Sequence, residues 1–174
     1  GEVLCDHYDA KEKKFFPPPE VVRDLTGNAL KKMGRGDVVE ANEKRLGLDP
    51  NKQNLVFIDS NVFTGDELEK RSLGGSETAL INVSRRLTGE YNVHVYNTSE
   101  ETGVYDKVVY HNINEAMVKP DKVVIIRYVN VLDTYDFKSM GADVYLWAHD
   151  IADSPAYVNL EHYYDKIDKI ILLS

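Results

Sequence analysis

Several residue types are scarce in this sequence of 174 residues, and each shortage excludes something. Cys5 is the only cysteine. It allows no intrachain disulfide and no cysteine-built zinc site. That usage suits a reducing compartment, and a cytoplasmic location is the expectation. Basic residues are outnumbered, 21 Lys and Arg against 29 Asp and Glu, for a net charge of −8. Nucleic-acid binding needs a dense basic surface, so no nucleic-acid partner is expected. No apolar run approaches the roughly 18 residues of a membrane span. The N-terminus lacks the basic-then-apolar pattern of a signal peptide. His94, His111 and His162 show no metal-ligand spacing, and no metal or other cofactor is expected.

Glycine motifs are missing too. A dinucleotide oxidoreductase needs G-x-G-x-x-G directly after a strand, and Gly65, Gly74 and Gly75 do not form it. Neither a P-loop nor a G-x-S-x-G nucleophile elbow is present. A methyltransferase stays open on fold alone, although the glycines come late after the first strand.

What remains is a globular composition, 43% hydrophobic and 29% charged, with enough chain for one sizeable core. The stretch 55–88 organises it. Leu55 to Ile58 reads as a short buried strand. A polar loop runs from Asp59 to Leu73. Gly74-Gly75-Ser76-Glu77 then opens a helix whose apolar face is Ala79, Leu80, Val83 and Leu87, with Ser76 as the expected N-cap. A helix start has unpaired N–H groups and a positive dipole end, and a Gly-Gly pair lets an anion approach the backbone. A plain tight turn is the other reading of that pair.

Residues 1–53 read as an irregular and helical extension. Pro17-Pro18-Pro19 precedes a helix reaching Met33, and a second helix covers Asp37 to Leu46. Residues 36–50 are faintly similar to the end of a tetratricopeptide repeat, but one partial copy builds no array, and a helical hairpin is preferred. Leu48-Asp49-Pro50-Asn51 is a turn.

From residue 54 onward, strands are predicted at Tyr91–Tyr96, Tyr105–Tyr110, Lys122–Tyr128, Asp143–Ala148 and Ile167–Leu173. A helical turn is predicted over His111–Val118, and helices over Asn130–Met140 and Asp153–Tyr164. Alternating strands and helices without hairpins predict an α/β, Rossmann-like parallel sheet with flanking helices over residues 54–174. Ligands of such sheets lie beyond the carboxyl ends of the strands, where strand order reverses. Gly74, Gly75, Arg127 and His149 are therefore expected to converge.

His149 ends an apolar strand, where a site residue belongs, and Asp150 is next to it. Arg127 interrupts a very apolar strand and needs a partner. It either binds an anion or pairs with Asp150, Asp133 or Asp59. Asp59 and Asn61 end the first strand, where Asp59 either receives a hydroxyl or caps the loop. Tyr128 lies near the same edge and is placed to stack on a sugar.

Leu73-Gly74-Gly75-Ser76-Glu77 running into Ala79-Leu80 resembles the N-terminal domain of GT-B glycosyltransferases, particularly the large retaining family 4. The similarity runs from about Leu55 to Ser174, and residues 1–53 take no part. The resemblance implies metal-independent sugar transfer between a nucleotide sugar and a glycan or other hydroxyl acceptor. It implies that Gly74, Gly75 and Ser76 line the donor diphosphate. It carries a cleft histidine onto His149, with Asp150 beside it, as catalytic residues. Asp59, Asn61, Arg127 and Tyr128 are left for the acceptor. It also implies a second, donor-binding domain that these residues do not contain. A non-catalytic Rossmann-like binding module is the competing expectation.

Overall fold

The computed structural model describes residues 8–9, 14–15, 46–150, 157 and 159–172. Two compact units are present, residues 1–52 with 114–119, and residues 53–113 with 120–174. In the first, strands β1 (Tyr8–Asp9) and β2 (Lys14–Phe15) pair antiparallel. The Leu48–Asn51 turn forms as the sequence suggests: the Asp49 carboxylate accepts the Asn51 N–H at 2.9 Å. The two helices expected within residues 20–46 lie outside the described residues, apart from Leu46, which is in a turn.

The second unit is an α/β sheet of seven strands. They are β3 (Asn54–Asp59), β4 (Asn92–Asn97), β5 (Gly103–Tyr105), β6 (Val108–Asn112), β7 (Lys122–Ile126), β8 (Asp143–Ala148) and β9 (Lys169–Leu172). Their spatial order is β5-β6-β4-β3-β7-β8-β9. All neighbours are parallel except β5 and β6. Taken in chain order, the parallel strands run 3-2-1-4-5-6, the order of a doubly wound sheet. The direction of winding reverses between β3 and β7.

Register explains why so many apolar residues are needed. Leu55 and Phe57 of β3 line up with Val93 and Val95 of β4 and, with Val124 of β7, face one side. Helix α1 (Gly75–Leu87) covers that side, and its Leu80 and Ile81 are fully buried in the same cluster. Burying a side chain of this size is worth roughly 1.5–3 kcal/mol. Val56, Ile58, Val123 and Ile125 point the other way and are also fully buried. Asp59 shares the α1 side with Phe57, which brings its carboxylate toward the start of the helix.

Several expectations change. The third strand is a hairpin, β5–β6, because Asp106 and Lys107 both adopt positive φ, 49° and 68°. Neither residue is a glycine or an Asn-Gly signal, so periodicity could not reveal it. His111 and Asn112 belong to β6 and not to a helical turn. Strand β7 stops at Ile126, so Arg127 lies beyond the strand and does not interrupt it. The helix expected over Asn130–Met140 is only α2 (Val131–Thr134), ended by extended Tyr135, after which Asp136 accepts the Ser139 N–H. Of the helix expected over Asp153–Tyr164, residues 151–156 lie outside the description, and Leu160–Lys166 is a 3-10 helix entered through left-handed Asn159. Strand β8 has the predicted bounds, and β9 ends within its predicted range.

Candidate functional site

The loop leaving β3 is stitched to the end of β4. Asn97 Nδ2 donates to the Phe63 carbonyl at 2.7 Å, and the Thr98 hydroxyl donates to the Ser60 carbonyl at 3.0 Å. Gly65 is required by close packing: a Cβ there would lie 2.5 Å from the Tyr105 Cβ. The loop then delivers the chain to Gly74, the N-cap of α1, with extended backbone at φ −65° and ψ 163°. The helix begins before Ser76, because the Thr78 N–H already bonds the Gly74 carbonyl at 3.0 Å. Ser76 is therefore not the cap expected from sequence, and its hydroxyl is turned to other work.

That work is done with Arg127. Just past β7, the Tyr128 N–H bonds the Ile126 carbonyl at 2.7 Å, with Arg127 between them at φ +60°. This is a γ-turn of the rare, strained kind. A non-glycine residue held at positive φ costs of order 1–3 kcal/mol and persists only when its surroundings hold it. The guanidinium supplies that hold. Its Nε and Nη2 donate to the two oxygens of Asp150 at 2.7 and 3.0 Å, and its Nη1 donates to the Ser76 hydroxyl at 2.5 Å. A forked pair of this kind is among the stronger charge-assisted contacts.

The chain of contacts continues. The Ser76 hydroxyl donates to Glu77 Oε2 at 3.0 Å. Asn61 Nδ2 donates to Glu77 Oε1, and the Asn61 N–H donates to Asp59 Oδ1 at 3.1 Å. Asp150, Arg127, Ser76, Glu77, Asn61 and Asp59 thus form one continuous polar path. It crosses from the end of β8, past the end of β7 and the start of α1, to the end of β3. This is the edge where strand order reverses.

His149 stands beside the path. Its N–H and that of Asp150 both donate to the Tyr157 hydroxyl, at 3.1 and 3.3 Å, which fixes the backbone where β8 ends. Its ring lies 4.4 Å from the Trp147 ring, centre to centre. Burial, and then the Arg127 charge, lower its pKa, which favours the neutral imidazole. Asp59 is 0% exposed. Burial pushes its carboxyl up from 3.8 to about 6, against the pull of the Asn61 N–H and Arg127. The bond from Arg127 holds Asp150 low and raises Arg127 in turn. Among the described residues, Asp59 Oδ2 and His149 Nε2 are buried atoms with no hydrogen-bond partner.

The predicted residues thus fare differently. Asp59, Asn61, Ser76, Arg127 and Asp150 are joined directly, and His149 is adjacent. Gly74 borders the path: a Cβ there would run into the Glu77 carboxylate, so the space glycine leaves is taken by the chain's own anion. Gly75 faces open space. Tyr128 is half-buried, and its described hydrogen bonds run through its backbone. Sequence reasoning passed over Glu77 and Tyr157. An acid in the first turn after a glycine pair is a usable signal for the first. Nothing local marks the second. Among the described residues, no cluster of three or more His, Cys, Asp or Glu could hold a metal ion, and no helix is long and apolar enough to cross a membrane. Comparisons with protein-family models, with curated proteins and with solved structures return no match.

Proposed function

We propose that this chain is the acceptor-side half of a GT-B glycosyltransferase, with a Rossmann-like sheet as its platform. The reaction is transfer of a sugar from a nucleotide sugar to a glycan or other hydroxyl acceptor. The observation that carries the reading is the polar path at the reversal point, flanked by a histidine whose pKa is lowered and a buried carboxyl whose pKa is raised. Perturbed titratable groups converging at such an edge are the ordinary mark of a site.

His149 orients the donor sugar in this reading. Asp150 acts through Arg127, since both of its oxygens are engaged there. Asp59 and Asn61 receive the acceptor, with Tyr128 alongside. The Gly74–Gly75 turn and the Ser76 amide line the diphosphate side, where N–H groups offset leaving-group charge once the Glu77 carboxylate swings away. The donor nucleotide belongs to a second domain outside these residues. The self-contained bonding of Arg127 favours one other reading, a binding module that performs no chemistry.

Transfer assays separate the two. Residues 1–174 alone, given a radiolabelled nucleotide sugar and acceptor, should transfer nothing, and turnover by this chain alone refutes the half-enzyme reading. In a polypeptide carrying both domains, His149→Ala and Gly75→Asp should each lower transfer by about 100-fold or more. Wild-type rates in both variants would mean that the site has been misassigned.

A further inference from the structure

The Tyr157 hydroxyl is bonded to backbone at the point where β8 gives out. Strand β8 is last paired with β7 at Leu146 and with β9 at Ala148, so His149 and Asp150 lie past the end of the ladder. Backbone N–H groups leaving a sheet need new acceptors. One phenol oxygen takes both of these, the His149 N–H at 3.1 Å and the Asp150 N–H at 3.3 Å, and the tyrosine that carries it is buried. The oxygen has two lone pairs and uses them on consecutive residues.

The second of those residues is one half of the forked ion pair. The side chains of Arg127 and Asp150 are 25% and 26% exposed, so water screens their attraction. A partly solvated pair keeps two parallel bonds only where both backbones present it at a fixed angle. On the Arg127 side the restraint is the γ-turn, closed by the Tyr128 N–H on the Ile126 carbonyl. On the Asp150 side it is Tyr157. The same guanidinium carries the contact on to Ser76, so an error in the angle of Asp150 passes to the start of α1. Resting on the site proposed above, we infer that Tyr157 is a positioning residue: its hydroxyl fixes the backbone of His149 and Asp150, aims Asp150 at Arg127, and so holds Arg127 against Ser76. Were the ring alone needed, removing the oxygen would change nothing at the edge.

The test is hydrogen exchange followed by NMR on residues 1–174. In the wild type, the His149 and Asp150 amides should exchange at least about 100-fold more slowly than in an unstructured chain. Tyr157→Phe keeps the ring and removes the oxygen. It should speed exchange of both amides and of the Arg127 Nε–H about tenfold, with little change in melting temperature. Asp150→Asn should itself free the Arg127 Nε–H. Adding Tyr157→Phe to it should then alter that exchange by less than about twofold, because the hydroxyl acts through Asp150. Unprotected amides in the wild type overturn the inference, whether or not the variants fold. So does an unchanged Arg127 Nε–H in folded Tyr157→Phe, or a full tenfold increase on top of Asp150→Asn. In the two-domain polypeptide, Tyr157→Phe should lower kcat about tenfold with KM held, and a wild-type kcat overturns the positioning role. The exchange rates need no sugar. If they behave as expected while the wild-type two-domain polypeptide transfers nothing, the enzyme reading falls and the placement of Asp150 by Tyr157 stands.

Discussion

His94, Tyr96 and His111 sit in the middle of strands, whereas Asp59, Arg127 and His149 sit where strands end. Both groups put polar side chains into buried surroundings, but they are built on different terms. In the first, the two imidazoles meet nitrogen to nitrogen at 3.0 Å, and Tyr96 stacks on His111 with rings 4.3 Å apart and nearly parallel. These contacts are made by side chains held in regular strand backbone. In the second, one residue occupies a strained γ-turn and its guanidinium ties together the ends of separate elements. The contrast teaches where function is legible. Mid-strand polar groups are fixed by register, while strand-end groups sit on backbone that can store strain, at the edge where ligands of such sheets lie.

Breaking the first cluster should have the largest effect on stability and none on the site. His111→Ala removes a buried ring from both His94 and Tyr96. It should lower unfolding free energy by about 4 kcal/mol in urea denaturation. Amide chemical shifts of Ser76 and Arg127 should be unchanged, and altered shifts in a folded variant would join the two clusters and void the comparison.

Asp59→Asn should do the reverse and stabilise the protein at neutral pH. The folded carboxyl takes up its proton near pH 6, the unfolded one near 3.8. Between those values the folded chain binds more protons, so this group's contribution to stability falls as pH rises through the window and is lowest above about 6. The gap corresponds to about 3 kcal/mol. The variant should gain roughly 2–3 kcal/mol at pH 7.5 and only about 0.5 kcal/mol near pH 4. Asp150, held low by Arg127, loses its contribution as pH falls, but it does so in both proteins. An equal gain at both pH values would show that burial is not what perturbs Asp59.

The smallest effect sharpens the backbone argument. Arg127→Ala and Arg127→Gly both remove the guanidinium, but only glycine tolerates φ +60° freely. The glycine variant should be more stable than the alanine variant by about 1 kcal/mol. Equal melting curves would mean that the turn relaxes once its hydrogen bonds are gone.

Much of the sheet was readable from short apolar runs, because a parallel strand buried on both faces must be apolar throughout. Leu55–Ile58 and Asp143–Ala148 are the clearest cases. The β5–β6 hairpin was hidden because Asp106 and Lys107 take positive φ without the usual turn residues. The shortness of α2 was hidden because helical propensity in Asn130–Met140 yields to the Asp136–Ser139 turn. At the site, the residue types and their edge were foreseeable, and their bonding was not. Arg127 has three candidate carboxylates, and only the folded arrangement shows that it takes Asp150.

Composition and pattern alone determined that this protein has a parallel α/β core with a polar carboxyl edge, since those follow from which short segments can be buried. Tertiary structure decided that β3 and β7 are the neighbours at which the winding reverses, that Glu77 fills the space beside Gly74, and that Asp59 is left with an unused oxygen. Those outcomes depend on residues far apart in the chain meeting at fixed distances. Local sequence carries no information about such distances until the strands are in register.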